Sequence, residues 1–153
     1  MLRAVLDTNT LASGFVTAGG VGDHLLQRWL LGHFELVISE EIIDELIGVF
    51  DKPYFRARIS DQQAAENIAL LRRRATVVNI NVHLSGVATH PEDDVIISLA
   101  VSERVDYLVT GDHRFRDHVG TYQGVVLISP REFLRVLDAL EPAEQTALDD
   151  DAT

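Results

Sequence analysis

An α/β fold, with a parallel sheet of about five strands between two layers of helices, is predicted by three features of the sequence. Short apolar runs of strand length alternate with longer stretches whose apolar residues recur at helical spacing, the pattern of a three-layer α/β/α domain. The first run, residues 2–6, is apolar apart from Arg3, as in a strand covered on both faces. Two runs end directly in acidic, hydrogen-bonding turns, Asp7-Thr8-Asn9 and Thr110-Gly111-Asp112, and a third leads into an acidic helix.

Each element has a local reason. The stretch 13–22, rich in glycine and small residues, reads as a loop. Residues 22–32 carry Leu25, Leu26, Trp29 and Leu30 at helical spacing, with Gly32 as the stop. A second strand is expected at 34–38, and Ser39 is a good N-cap for a helix to about Phe50. Proline ends that helix within Lys52-Pro53-Tyr54-Phe55. Ser60 or Asp61 caps an amphipathic helix that closes on Arg72-Arg73-Arg74. A third strand is expected at 75–78, a polar loop at 81–90, and a helix from Pro91 to about Arg104. Strands at 107–110 and 124–128, and a helix from Ser129-Pro130 to about Leu140, complete the set. Residues 1–141 thus make one domain, and 142–153 an acidic tail expected to be disordered.

At 153 residues such a domain buries roughly 68–70% of the surface its unfolded chain exposes. The absence of cysteine excludes a disulfide framework and a thiolate metal site, and fits a reducing compartment. No signal peptide is expected, because no basic region precedes an apolar run. No apolar run approaches the ~20 residues that cross a bilayer, so the expected location is the cytoplasm, with no membrane partner. The net charge of −11 argues by itself against a polyanionic substrate. Two features offset it: Asp149, Asp150 and Asp151 sit in the tail, and carboxylates that bind cations inflate the formal count. The basic residues are nearly all arginine, whose forks suit phosphate, and Lys52 is the only lysine.

Ligands of open parallel sheets bind beyond the carboxyl ends of the strands. Asp7 and Asp112 lie on that edge. On the helix after Ser39, Glu45 borders the apolar stripe of Ile42, Ile43, Leu46, Ile47, Val49 and Phe50, whereas Glu41 and Asp44 point nearly opposite. On the helix after Pro91, Asp93 falls on the side of Ile96 and Ala100, and Asp94 nearer Ser98. Asp93 is therefore the preferred inward carboxylate and Asp94 the alternative. Taken singly, each acid is more readily a turn, a cap or a surface residue. Together they suggest a shared site. Carboxylates without cysteine or paired histidine select hard cations, Mg²⁺ or Mn²⁺. Asn9 and Thr110, beside two of the acids, are candidates to orient the carboxylates or bound water. With one or two such ions the natural chemistry is phosphodiester hydrolysis.

Rival sites are poorly supported. None of the six histidines stands in a metal-type motif, although His113 follows Asp112. Neither a glycine-rich phosphate loop nor a Gly-x-Ser-x-Gly nucleophile is present. Phosphoryl-group chemistry at strand ends usually needs a lysine, and Lys52 lies in a helix-terminating turn.

Leu6-Asp7-Thr8-Asn9, Glu45-Leu46, Asp93 ahead of an apolar helix, and Val109-Thr110-Gly111-Asp112 occur in an order that resembles the PIN-domain ribonucleases over the chain up to its last helix. Glu45-Leu46 with Lys52-Pro53-Tyr54-Phe55 is similar to the VapC-like toxins of type II toxin–antitoxin pairs. The resemblance implies strand order 3-2-1-4-5 and Mg²⁺- or Mn²⁺-dependent RNA cleavage by Asp7, Glu45, Asp93 and Asp112. It also implies a homodimer and a cognate antitoxin. One departure is His90, where many relatives of that branch carry an acid. Arg114 and Arg116 are candidates for phosphate contact, while Arg72, Arg73 and Arg74 read as a solvated helix end. The alternative is a catalytically inactive PIN-like module that binds RNA or protein.

Overall fold

The computed structural model describes residues 1–80 and 84–151, with side chains for 1–80 and 84–140. The first part of the polar loop expected at 81–90, and the side chains of the acidic tail expected at 142–153, lie outside the described residues. The elements run β1 (Arg3–Leu6), α1 (Thr8–Val16), α2 (Val21–Leu30), β2 (Glu35–Ser39), α3 (Glu40–Phe50), α4 (Pro53–Arg56), α5 (Asp61–Arg74) and β3 (Thr76–Val78). They continue with α6 (Pro91–Ser102), β4 (Tyr107–Val109), α7 (His113–Val119), β5 (Thr121–Tyr122), β6 (Val125–Ile128) and α8 (Pro130–Asp151). The backbone of α8 continues past the stop expected near Leu140.

The sheet has six strands in the order β3-β2-β1-β4-β6-β5. Its five parallel members follow the predicted order, with β1 between β2 and β4. The addition is β5, antiparallel to β6 at the edge. Gln123 and Gly124, with φ of 47° and 85°, form the two-residue turn that folds β5 back on β6. A Gln-Gly turn is a weaker hairpin signal than Asn-Gly, and the two residues of β5 show no alternation.

Helix starts follow their caps. Ser39 Oγ accepts from Ile42 N at 3.2 Å, and Ser60 and Gln63 form a reciprocal capping box at the start of α5. Three helices were not expected, the shortest being the single turn α4, which starts at Pro53. Helix α1 occupies the first part of the stretch read as a loop, because Gly14 and Gly22 serve there as packing residues. A Cβ on Gly14 would stand 2.8 Å from Gly22 O, and one on Gly22 would stand 2.9 Å from Thr10 O, so α1 and α2 cross with their backbones nearly touching. Helix α7 grows from the turn expected at Asp112.

Helix α6 packs on β1 and β4, α1 on α2 and α3, and α2 on α8. The core between them includes the fully buried Leu6, Leu36, Ile38, Ile43, Leu46 and Ile97, with Phe34 edge-to-face on Phe133 at 5.1 Å. At the amino end of the sheet, Arg3 N donates to Asp106 and Arg3 Nε pairs with Glu35, which also accepts from Thr76 Oγ1 at 2.6 Å. This polar network ties β3, β2 and β1 to the residue before β4, and leaves the carboxyl end of the sheet free for the acids.

Candidate metal centre

Strands β1 and β4 run side by side, with Leu6 opposite Val109, so the residues that follow them emerge together. Asp7 N donates to Val109 O at 2.9 Å, and Thr110 N to Ile128 O at 3.0 Å, which holds both loop starts to the sheet. Asp7 N-caps α1 by accepting from Thr10 N at 2.8 Å on Oδ1. Its Oδ2 accepts from Thr110 Oγ1 at 2.7 Å. The same Thr110 oxygen accepts from Asp112 N at 3.2 Å, and Thr110 is 1% exposed. One buried hydroxyl therefore links Asp7 to the backbone of Asp112. Asp112 N-caps α7, with Oδ1 accepting from Arg114 N and Phe115 N.

Asp7, Glu45, Asp93 and Asp112 line one cavity of about 100 Å³, together with Asn9, Thr110 and a further acid, Glu92. Apolar Ile42, Val95, Ile96 and Phe115 complete its wall. Glu92 was missed by sequence reasoning; its only signal is its place beside Asp93 in the first turn of α6. Asp94, the alternative to Asp93, does not line the cavity. It is 7% exposed, and its carboxylate accepts from the backbone N–H groups of Gly86, Val87 and Ala88 at 3.0, 3.1 and 2.8 Å. Asn9 makes no hydrogen bond to Asp7 among the described residues; the carboxylate is held by Thr10 and Thr110.

Burial raises the pKa of the Asp93 carboxyl, and the negative charges of Asp112, Glu92 and Asp7 raise it further, while His90 opposes the shift. A cation among these groups would remove that penalty. Neither Asp93 nor Glu45 accepts a hydrogen bond from a described residue, so their oxygens are available as ligands. The donors are all oxygens, which fits a hard divalent cation. A 100 Å³ space amounts to roughly three waters' share of liquid volume, room for an ion and a few ligands. Among the described residues no three His, Asp or Glu side chains already converge as a metal-holding group. The exposed Glu45 has side-chain torsions with which to turn toward the other three acids.

The two arginines next to Asp112 differ. Arg116 Nη1 donates to Thr110 O at 2.6 Å and braces the strand end, whereas Arg114 is exposed. Arg72, on the distant α5, binds both oxygens of Glu40. A larger cleft of about 470 Å³ lies between α3 and α5, lined by Ile47, Phe50, Ile59 and Ile68. It is mostly apolar, and of its two aspartates, Asp51 and Asp61, the second is paired with Arg56, so the smaller acidic cavity is the better candidate for chemistry.

Residues 3–114 match the family model described as PIN domain. Pantothenate synthetase of Streptomyces avermitilis is 31% identical over 99 residues, which is 65% of this chain but only 27% of that protein. Among the solved structures that share the fold are the following three. VapBC2 from Rickettsia felis, bound to a DNA fragment from its promoter, aligns with a TM-score of 0.60 at 16% identity, covering 84% of this chain and 98% of that one. DNA-bound VapBC from Salmonella typhimurium gives 0.57 at 20% identity, covering 85% and 99%. A protein of Pyrobaculum aerophilum gives 0.59 at 15% identity, covering 90% of each chain.

Proposed function

The chain belongs to the PIN-domain family, and from that premise we propose that it is a metal-dependent endoribonuclease, the toxin component of a type II toxin–antitoxin pair. The observation that carries the activity is the convergence of Asp7, Glu45, Asp93 and Asp112 on one small cavity at the strand ends. A bound Mg²⁺ or Mn²⁺ supplies water activation and neutralises charge on the phosphate oxygens. The chain's part is to hold the oxygens that receive the ion. Asp7 is fixed from two sides by Thr10 N and Thr110 Oγ1, and Asp112 by two amides of α7. These two anchor the main ion. Asp93 and Glu45, free of hydrogen bonds from described residues, complete the set or hold water. Thr110 supports the Asp7 carboxylate directly, and Asn9, which lines the same cavity, is available to water or substrate beside it. Exposed Arg114 is placed to meet a phosphate approaching Asp112.

The toxin role draws on the fold shared with the two VapBC complexes. It brings with it an antitoxin partner, a homodimer and a cytoplasmic RNA substrate. Among the described residues no helix is long and apolar enough to cross a membrane. The alternative, an inactive module that binds RNA or protein, is favoured by the charge of −11, which opposes a polyanionic substrate.

The decisive experiment incubates the purified protein with labelled single-stranded RNAs in Mn²⁺ or in EDTA, beside Asp7→Asn. Cleavage in Mn²⁺, abolished by EDTA and by the substitution, is expected. Cleavage indifferent to both would sink the mechanism, and binding without cleavage under every metal condition would select the inactive module.

A further inference from the structure

A second cavity adjoins the acidic one. It is an open groove of about 520 Å³ that shares Asp7, Asn9 and Asp112 with the smaller cavity and then runs along α1 and α2 past Ser13, Gly22 and Gly111. Asp7 and Asp112 therefore stand in a wall with space on both sides. The smaller space is too small for a nucleotide. The groove falls within the range of roughly 300–1,000 Å³ usual for small-molecule sites. The crossing at Gly14 and Gly22 helps shape it, because side chains there would push α2 away from α1.

The groove's lining selects what can enter. No lysine or arginine lines it among the described residues, and two of its residues are the aspartates. A phosphate inside would face the two aspartates with only the amino end of α2, at Val21 and Gly22, to offset them, so a neutral part of a substrate fits better there. No aromatic ring lines it either, which argues against recognition by base stacking. Beside the buried Thr10, the exposed polar side chains in its lining that make no hydrogen bond to a described residue are the Asn9 amide and the Ser13 hydroxyl. These are one turn apart on α1, hence on the same face. Both residues are exposed, and neither side chain has a hydrogen-bond partner among the described residues. A side-chain amide and a hydroxyl each both donate and accept, as a ribose 2′-hydroxyl does.

We propose that this groove receives the ribose and base of the nucleotide adjoining the scissile phosphate, with Asn9 and Ser13 hydrogen-bonding its 2′-hydroxyl, so that the groove selects RNA over DNA. The proposal rests on the nuclease reading of the adjacent acids for its scissile phosphate, yet its test reads binding.

Fluorescence anisotropy with labelled single-stranded homopolymers of A, C, G and U, as RNA and as DNA, is measured in Ca²⁺ for the wild type, Ser13→Ala and Ser13→Trp. Melting with and without Mn²⁺ is run alongside. Ser13 is exposed, so both variants are expected to fold and to keep the wild-type Mn²⁺ shift. Tryptophan fills the groove, and RNA affinity should fall at least tenfold. Alanine removes one neutral hydrogen bond, and the preference for RNA over DNA should shrink by about threefold to tenfold. If Ser13→Trp does not fold, Ser13→Leu replaces it. Unchanged RNA affinity in the folded, bulky variant overturns the groove, whether or not the protein cuts RNA. Wild type that binds no RNA, or RNA and DNA equally, overturns it too. Wild type that binds through the groove but never cuts in Mn²⁺ leaves the groove standing and sinks only the catalytic reading.

Discussion

The Thr110 hydroxyl donates a 2.7 Å hydrogen bond to Oδ2 of Asp7 across the seam where β4 lies against β1. It also accepts from Asp112 N, so a single buried side chain sets the relation between two acids 105 positions apart in sequence. Thr110→Val keeps the shape and removes the hydroxyl. Asp7 then loses one donor and Asp112 N its acceptor; Asp112 is exposed, so water can replace that partner, and the cost is about 0.5–1.5 kcal/mol. Loss of a group that orients a ligand typically lowers metal affinity or activity by about 10–100-fold. Denaturant melts and a Mn²⁺ titration should show both, and Thr110→Ser should restore most of each. A valine variant with wild-type metal affinity would remove Thr110 from the proposed centre.

Asp93 gives a prediction whose sign depends on the ion. Its folded-state pKa is raised above the ordinary 3.8, first by burial and then by Asp112 and Glu92. Folding therefore disfavours the charged form. In EDTA, its contribution to stability falls as pH rises from the ordinary value through the folded one, and it stays unfavourable at neutral pH. Asp93→Asn should accordingly melt higher than wild type at pH 7 in EDTA, with the difference vanishing in acid. In Mn²⁺ the order should reverse, because ligand binding to the folded state stabilises it and the variant has lost a ligand. Melting curves over a pH series in both conditions check this. An Asn variant no more stable in EDTA would contradict the electrostatic account.

Much of this arrangement is readable from the chain, for identifiable reasons. Apolar runs expose the five parallel strands, and the stripe on α3 places Glu45 at its border without any tertiary knowledge. Asp93 and Asp94 differ by one position, and the wheel of α6 separates them only in direction. That the Asp94–Ser98 side would be buried under a loop is not visible, because the partners are backbone groups: Gly86, Val87 and Ala88 N–H on Asp94, and Leu84 N on Ser98 Oγ. Helix α1 was hidden for a related reason. Glycine in sequence signals a turn, whereas Gly14 and Gly22 are used for contact between helices. Glu92 is invisible because a first-turn acid beside proline is equally an ordinary answer to the helix dipole.

Asp94 should therefore fail differently from Asp93. Its three charge-assisted bonds pin the loop before α6, and Asp94→Ala would leave buried amides such as Ala88 N without an acceptor. A loss of about 3 kcal/mol is expected, the scale of hydrogen bonds to a charged group and of unsatisfied buried donors. Urea denaturation measures it, with and without Mn²⁺. The destabilisation should appear in EDTA as well as in Mn²⁺, in contrast to the reversal at Asp93. A substitution at Asp94 that is silent in EDTA but abolishes the Mn²⁺ shift would return it to the ligand set.

Glycine-to-alanine changes at two helical positions should move stability in opposite directions. In α2, a Cβ on Gly22 would lie 2.9 Å from both Gly14 N and Thr10 O, which are backbone atoms that cannot swing aside. The helices must separate instead, an overpacking cost of about 1–3 kcal/mol that outweighs alanine's helix advantage of up to about 1 kcal/mol. Because α1 begins at the Asp7 cap, the displacement reaches the acids, and the Mn²⁺ shift of Gly22→Ala should shrink along with its melting temperature. In α3, a Cβ on Gly48 meets nothing within 4 Å. Gly48→Ala should therefore raise stability by up to about 1 kcal/mol and leave the metal response unchanged. Equal effects from the two substitutions would mean that α1 and α2 do not cross at the Gly14–Gly22 contact, and would remove the support that holds Asp7 beside Asp112.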